Sequence, residues 1–183
     1  NEGELRNLMF TAQLDSNELP FVIRYPRGEG VMPEWKTEMQ EIKIGTGRKL
    51  KDGQDIAILS FGHVGNFAAS AIRDVKAEGI NPAHYDMRFV KPLDEEMLHE
   101  VFSKYNKVIT IEDGTVVGGF GSAILEFMNE HGYKADVKIM GIPDRLVEHG
   151  TPKQLYDEIG IDANGIADML RVLSKINVAE LIK

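Results

Sequence analysis

The chain contains no cysteine. That excludes disulfides, thiolate nucleophiles and cysteine-ligated zinc. It also lacks an excess of positive charge: 21 basic residues against 29 acidic ones leave a net charge of -8. Nucleic-acid binders usually present a basic face, so no nucleic-acid partner is expected. A local basic pocket for a phosphorylated metabolite stays compatible with this balance. No apolar run approaches the ~18 residues of a membrane helix, so no membrane partner is expected, and a cytoplasmic enzyme fits.

What is present is an ordinary globular composition. Of 183 residues, 43% are hydrophobic, enough to bury a core, and the length suits one domain or one domain plus part of another. Leu5, Leu8, Met9 and Ala12 already recur at helical spacing, predicting a helix over residues 2–14. A chain that opens on helical periodicity at Asn1 is expected to be a piece of a longer polypeptide. Phe21–Tyr25 reads as a buried strand, and residues 29–41, rich in loop formers, as a linker. Trp35 within it is either an anchor on a neighbouring domain or a partly exposed aromatic.

From Ile42 the pattern becomes regular. Ile42–Arg48 and Asp55–Ser60 are strand-like and flank the turn Lys51-Asp52-Gly53, a pair that could form a hairpin. A helix over 65–78 should end at Gly79, His84–Phe89 is a strand, and Asp94 should cap a helix carrying Met97, Leu98, Val101 and Phe102. Lys107–Ile111 and Val137–Ile142 are further strands, around a helix from Ser122 to His131. Thr151-Pro152-Lys153-Gln154 is a capping box, and a last helix should run from Asp162 to Ile176. The alternation predicts a three-layer α/β/α domain with a mostly parallel sheet.

Two glycine-framed turns follow strand patterns and merit chemical attention. Arg24-Tyr25-Pro26-Arg27-Gly28 delivers two arginines to a strand end, where a planar guanidinium can grip a phosphate or carboxylate. Gly118-Gly119-Phe120-Gly121-Ser122 opens a helix, a place where backbone amides can cradle an anion. Its spacing is neither a dinucleotide fingerprint nor a P-loop and no lysine follows, so close backbone packing is the favoured role. Glu112-Asp113 ends a strand without a recognisable catalytic partner. His63 and His149 sit in post-strand loops, but no triad spacing or histidine pair supports catalysis or a metal. Arg88, also at a strand end, is expected in a salt bridge.

Taken in order, Arg24–Gly28, Asp86-Met87-Arg88-Phe89-Val90-Lys91-Pro92-Leu93-Asp94, Glu112-Asp113-Gly114, the Gly118–Ser122 loop, Gly141-Ile142-Pro143-Asp144 and Glu148-His149-Gly150 form a combination. It resembles the C-terminal portion of the 1-deoxy-D-xylulose-5-phosphate synthases, thiamine-diphosphate enzymes of the transketolase superfamily. The resemblance implies a homodimer that condenses pyruvate with D-glyceraldehyde 3-phosphate, releasing carbon dioxide, with thiamine diphosphate and magnesium as cofactors. It implies that residues 1–28 end a pyrimidine-binding domain, 29–41 link, and 42–183 form a transketolase C-terminal domain. It gives Arg27 the substrate phosphate and Arg24 a structural role. It places the catalytic residues, the cofactor-binding and metal-binding segments outside this chain, which would then supply scaffold and dimer contacts without turnover of its own. Two other readings are a fragment of a 2-oxoacid dehydrogenase beta subunit and a non-catalytic binding or dimerisation module.

Overall fold

A computed structural model of the chain describes residues 1–175. Five strands form one sheet: β1 (Arg48–Lys51), β2 (Ala57–Phe61), β3 (Ala83–Asp86), β4 (Lys107–Thr115) and β5 (Asp136–Ile142). Six α-helices accompany it: α1 (Glu2–Thr11), α2 (Gly65–Val75), α3 (Glu95–Lys104), α4 (Phe120–Glu130), α5 (Pro152–Ile159) and α6 (Ala163–Lys175). The strand order is β1-β3-β2-β4-β5. Every pairing is parallel except β1 with β3.

Strand alternation builds two cores, one on each face. Ile58, Ile109 and Ile111 point to the face covered by α2 and α6 and meet Ile72, Ile166 and Leu170. Ala57, Leu59 and Val108 point the other way and meet Leu98, Val101, Phe120 and Ile124 of α3 and α4. Strands buried on both faces need crossover helices on both sides, which gives the expected three-layer α/β/α arrangement.

The local signals hold closely at helix ends. Asp94 accepts a hydrogen bond from the Met97 amide at 2.9 Å. Thr151 and Gln154 close their capping box, and Gly79 and Gly160 take left-handed cap conformations at φ 80° and 72°. The last helix begins at Ala163, and Ile176 lies outside the described residues. Helix α1 stops at Thr11, three residues before the expected end.

Two strand expectations fail. Phe21–Tyr25 is not a buried strand: it is extended without a ladder, with Val22 87% and Tyr25 70% exposed. An apolar run becomes a strand only where a neighbour takes its backbone groups, and the described sheet offers none. The hairpin fails as well. Strand β1 begins at Arg48 rather than Ile42, and β3 intervenes between β1 and β2. Arg48 pairs with Asp86 of β3 through its Nε at 3.0 Å, a contact between strands far apart in sequence.

Residues 29–41 lack regular structure, yet side chains of α1 lace them in place. The Glu2 carboxylate accepts from the Val31 and Met32 amides at 2.8 and 2.9 Å. Arg6 donates to the Thr37 carbonyl at 2.7 Å and stands 5.9 Å from the Trp35 ring centroid. Trp35 itself is 41% exposed.

Candidate functional site at the carboxyl end of the sheet

The chain reverses direction across the sheet between β2 and β4. From β2 it crosses through α2 to β3 on one side, then through α3 back over to β4 on the other. Such a switch point opens a crevice beyond the carboxyl ends of the two strands, the usual ligand position in open α/β sheets. His63 follows β2 and Asp113 lies near the carboxyl end of β4, so both face this point.

These two residues meet through a third. The Tyr156 hydroxyl of α5 donates to Asp113 Oδ2 at 3.1 Å, and His63 Nε2 lies 3.1 Å from the same hydroxyl oxygen. With the tyrosine hydrogen spent on Asp113, the imidazole bonds by donating from Nε2. Arg24 completes the cluster by donating from Nη2 to the Asp113 carbonyl at 2.6 Å. Phe67 packs against both the His63 and Tyr156 rings, at centroid distances of 6.1 and 5.5 Å.

The electrostatics make this cluster an anchor rather than an acid–base pair. Burial pushes the His63 imidazole below its ordinary range, and the Asp113 charge offsets that only in part. Tyr156 is pushed up to about 12, first by burial and then by the Asp113 charge. Both shifts favour the neutral form of the group at pH 7.

The arginine motif lies across this end of the sheet. Phe21 packs edge-on against Phe89 of the β3–α3 loop at 6.3 Å, and Arg24 reaches β4. Arg27 sits in an exposed bend three residues beyond that anchor, and its guanidinium engages no partner among the described residues. Arg88 behaves as expected: its Nε pairs with Glu4 Oε1 at 2.6 Å, while Glu4 Oε2 takes Arg48 at 3.0 Å. Arg88 adopts a left-handed backbone at φ 54°, uncommon for a side chain of this size. His149 is exposed and bonds to nothing among the described residues.

The Gly118–Ser122 loop is not an open anion cradle. Glu112 is only 3% exposed and turns back onto the start of α4. Its Oε2 accepts from the Phe120 amide and its Oε1 from the Gly121 amide, each at 2.9 Å. A carboxylate there satisfies two otherwise orphaned donors and complements the helix dipole. Gly119 makes room for it: a Cβ at that position would lie 2.4 Å from Glu112 Oε2 and 2.1 Å from the Thr115 carbonyl.

Sequence reasoning named Arg24, His63 and Asp113 separately, and the fold joins them. It missed Tyr156. The available signal was its spacing from Ile159, which puts both on one helix face with an inward tendency. Glu4 was missed because an acid in a first helical turn already has a local explanation in the dipole.

Comparison with known proteins now bears on the fold and this site together. The family described as transketolase, C-terminal domain matches residues 45–166. The chain belongs to that family. Within it, a 1-deoxy-D-xylulose-5-phosphate synthase of Cytophaga hutchinsonii is 59% identical over 96% of this chain. The protein of the same name from Parabacteroides distasonis is 54% identical over 93% of the chain. The chain spans about 28% of the length of the first and 27% of the second. A solved structure titled as a split-gene transketolase, an inactive beta4 tetramer, superposes with a TM-score of 0.68 at 31% identity, over 73% of this chain and 44% of that one. The synthase name of these relatives does not favour the 2-oxoacid dehydrogenase or binding-module readings.

The transketolase family implies a thiamine cofactor, and the described residues do not fit it. Among them no three histidines or carboxylates come together as metal ligands. The glycine-rich start of α4 is filled by Glu112. No described helix is long and apolar enough to cross a membrane.

Proposed function

We propose that this chain is the C-terminal part of a 1-deoxy-D-xylulose-5-phosphate synthase. The whole enzyme condenses pyruvate with D-glyceraldehyde 3-phosphate and releases carbon dioxide. It works as a cytoplasmic homodimer with thiamine diphosphate and magnesium held by segments outside this chain. Residues 1–28 belong to the end of the pyrimidine-binding domain, 29–41 to a linker and 42–183 to the C-terminal domain. This part provides scaffold and dimer contacts, and it contributes Arg27 to the phosphate of the aldehyde substrate.

The observation that carries the Arg27 assignment is its contrast with its neighbours. Arg24 is tethered to the Asp113 carbonyl and Arg88 is paired with Glu4, while Arg27 is presented at the same end of the sheet with its donor fork unused. An uncommitted guanidinium on a tethered, proline-stiffened loop suits a phosphate dianion.

The test uses the complete synthase. Loss of one charge-assisted contact removes about 1.5–3 kcal/mol, so Arg27→Ala should raise KM for glyceraldehyde 3-phosphate about 10- to 100-fold. KM for pyruvate should stay near its original value. An equal rise for both substrates would overturn the phosphate role. The 183-residue chain alone, supplied with both substrates, thiamine diphosphate and magnesium, should form no product; turnover would refute the division of labour.

A further inference from the structure

At the opposite end of the sheet, a groove of about 320 Å³ lies between α2 and the β1–β3 edge. Its walls include Lys51, Arg73 and Lys76 together with the apolar side chains of Leu50, Ile72 and Ile80. It contains no aspartate or glutamate, in a chain whose net charge is -8. Several cations elsewhere are matched: Arg48, Lys49 and Arg171 each reach a carboxylate at 3.0 Å or less. The three cations of the groove reach none among the described residues.

We propose that this groove binds a small organic phosphate, a phosphate monoester carried on a short apolar body. Three positive charges from two separate elements converge on one concavity, and a dianion offsets their mutual repulsion. Arg73 and Lys76 also complement the dipole at the end of α2, which accounts for their sign. It does not account for Lys51, which arrives from β1, or for the apolar wall beside it.

The site is ordered in advance. Lys51 Nζ donates to the carbonyls of Asp52 and Pro82 at 2.9 and 3.0 Å and to the Asn81 side chain. Its donors are thereby spent, so it acts on a ligand as a fixed charge. Burial and the nearby charge of Lys76 disfavour its ammonium, and the Asp52 charge offsets them only in part. Arg73 donates one N–H to Ser70 Oγ at 2.9 Å and keeps the rest of its fork. His84 at the wall is buried, bonded to Ser60 Oγ at 2.9 Å, and pushed down to about 4 by that burial, so it stays neutral at pH 7. A preorganised pocket of this size suits a small molecule.

The test is a heteronuclear NMR titration of the chain with monobutyl phosphate at fixed ionic strength. Saturable shifts are expected at the amides of Lys51, Lys76, Ile80 and Asn81, with a dissociation constant of about 1 mM, the order expected of so small a ligand. An Arg73→Gln, Lys76→Gln double variant should weaken binding about tenfold or more, and inorganic phosphate should bind less tightly than the ester. Arg27→Ala should leave the groove shifts unchanged, which separates this site from the one at the carboxyl end. Absence of saturable shifts, an unchanged constant in the double variant, or equal affinity for inorganic phosphate would overturn the proposal.

Discussion

Two glycine-framed turns, Arg24–Gly28 and Gly118–Ser122, each offer anion-binding donors in sequence, the second with close packing as its favoured role, and they end in opposite states. The second is closed: Glu112 of the same chain occupies the amides at the start of α4. The first is open: Arg24 is fixed to the Asp113 carbonyl, and Arg27 beyond it has no partner among the described residues. The fold gives the amides of one turn an internal acceptor and leaves the last arginine of the other without one. The closed turn therefore contributes stability, and the open one is available for binding.

The largest expected effect probes the closed turn. Glu112→Ala strips the acceptor from two buried amides and should lower the unfolding free energy by about 3 kcal/mol, measured by urea denaturation. Glu112→Gln keeps one acceptor oxygen and should lose less. A loss under about 0.5 kcal/mol for the alanine variant would mean the turn is not held by its own carboxylate. The tether of the open turn comes next. Tyr156→Phe removes two half-buried hydrogen bonds, to Asp113 and from His63, and about 1–2 kcal/mol of stability should follow them. Arg27→Ala should leave stability within about 0.5 kcal/mol. A larger change in denaturation would contradict its open state.

The smallest effect concerns pH. His63 has its folded value lowered by burial, so the unfolded chain takes up this proton first as pH falls. Its favourable contribution is full above the unfolded value, near 6.5, and is lost as pH falls from there through the lowered folded value. A His63→Gln variant should show a shallower decline in stability on acidification over that window than the parent chain. Identical slopes would show that His63 does not titrate differently in the folded state.

Much of the fold was legible because its signals are local. Caps at Asp94, Thr151, Gly79 and Gly160 and the apolar spacing of α2, α3 and α6 involve residues a few positions apart. The parallel sheet followed from strand–helix alternation. What misled was also local in appearance. Phe21–Tyr25 has strand composition without a partner, and Lys51-Asp52-Gly53 has hairpin composition although β3 claims both neighbours.

The candidate site was legible only as separate residues. Arg24 and Asp113 stand 89 positions apart, and His63 and Tyr156 stand 93 apart. Periodicity and capping rules reach three or four residues and carry no information at that range. By itself the sequence determined the helices, most of their caps, the central strands and the motifs that mark the family. Only the tertiary structure decided which of its two anion-binding turns was filled and which stayed open. The reason is physical: whether a donor is satisfied depends on the acceptor that packing brings to it through space, and a linear pattern records the donor alone.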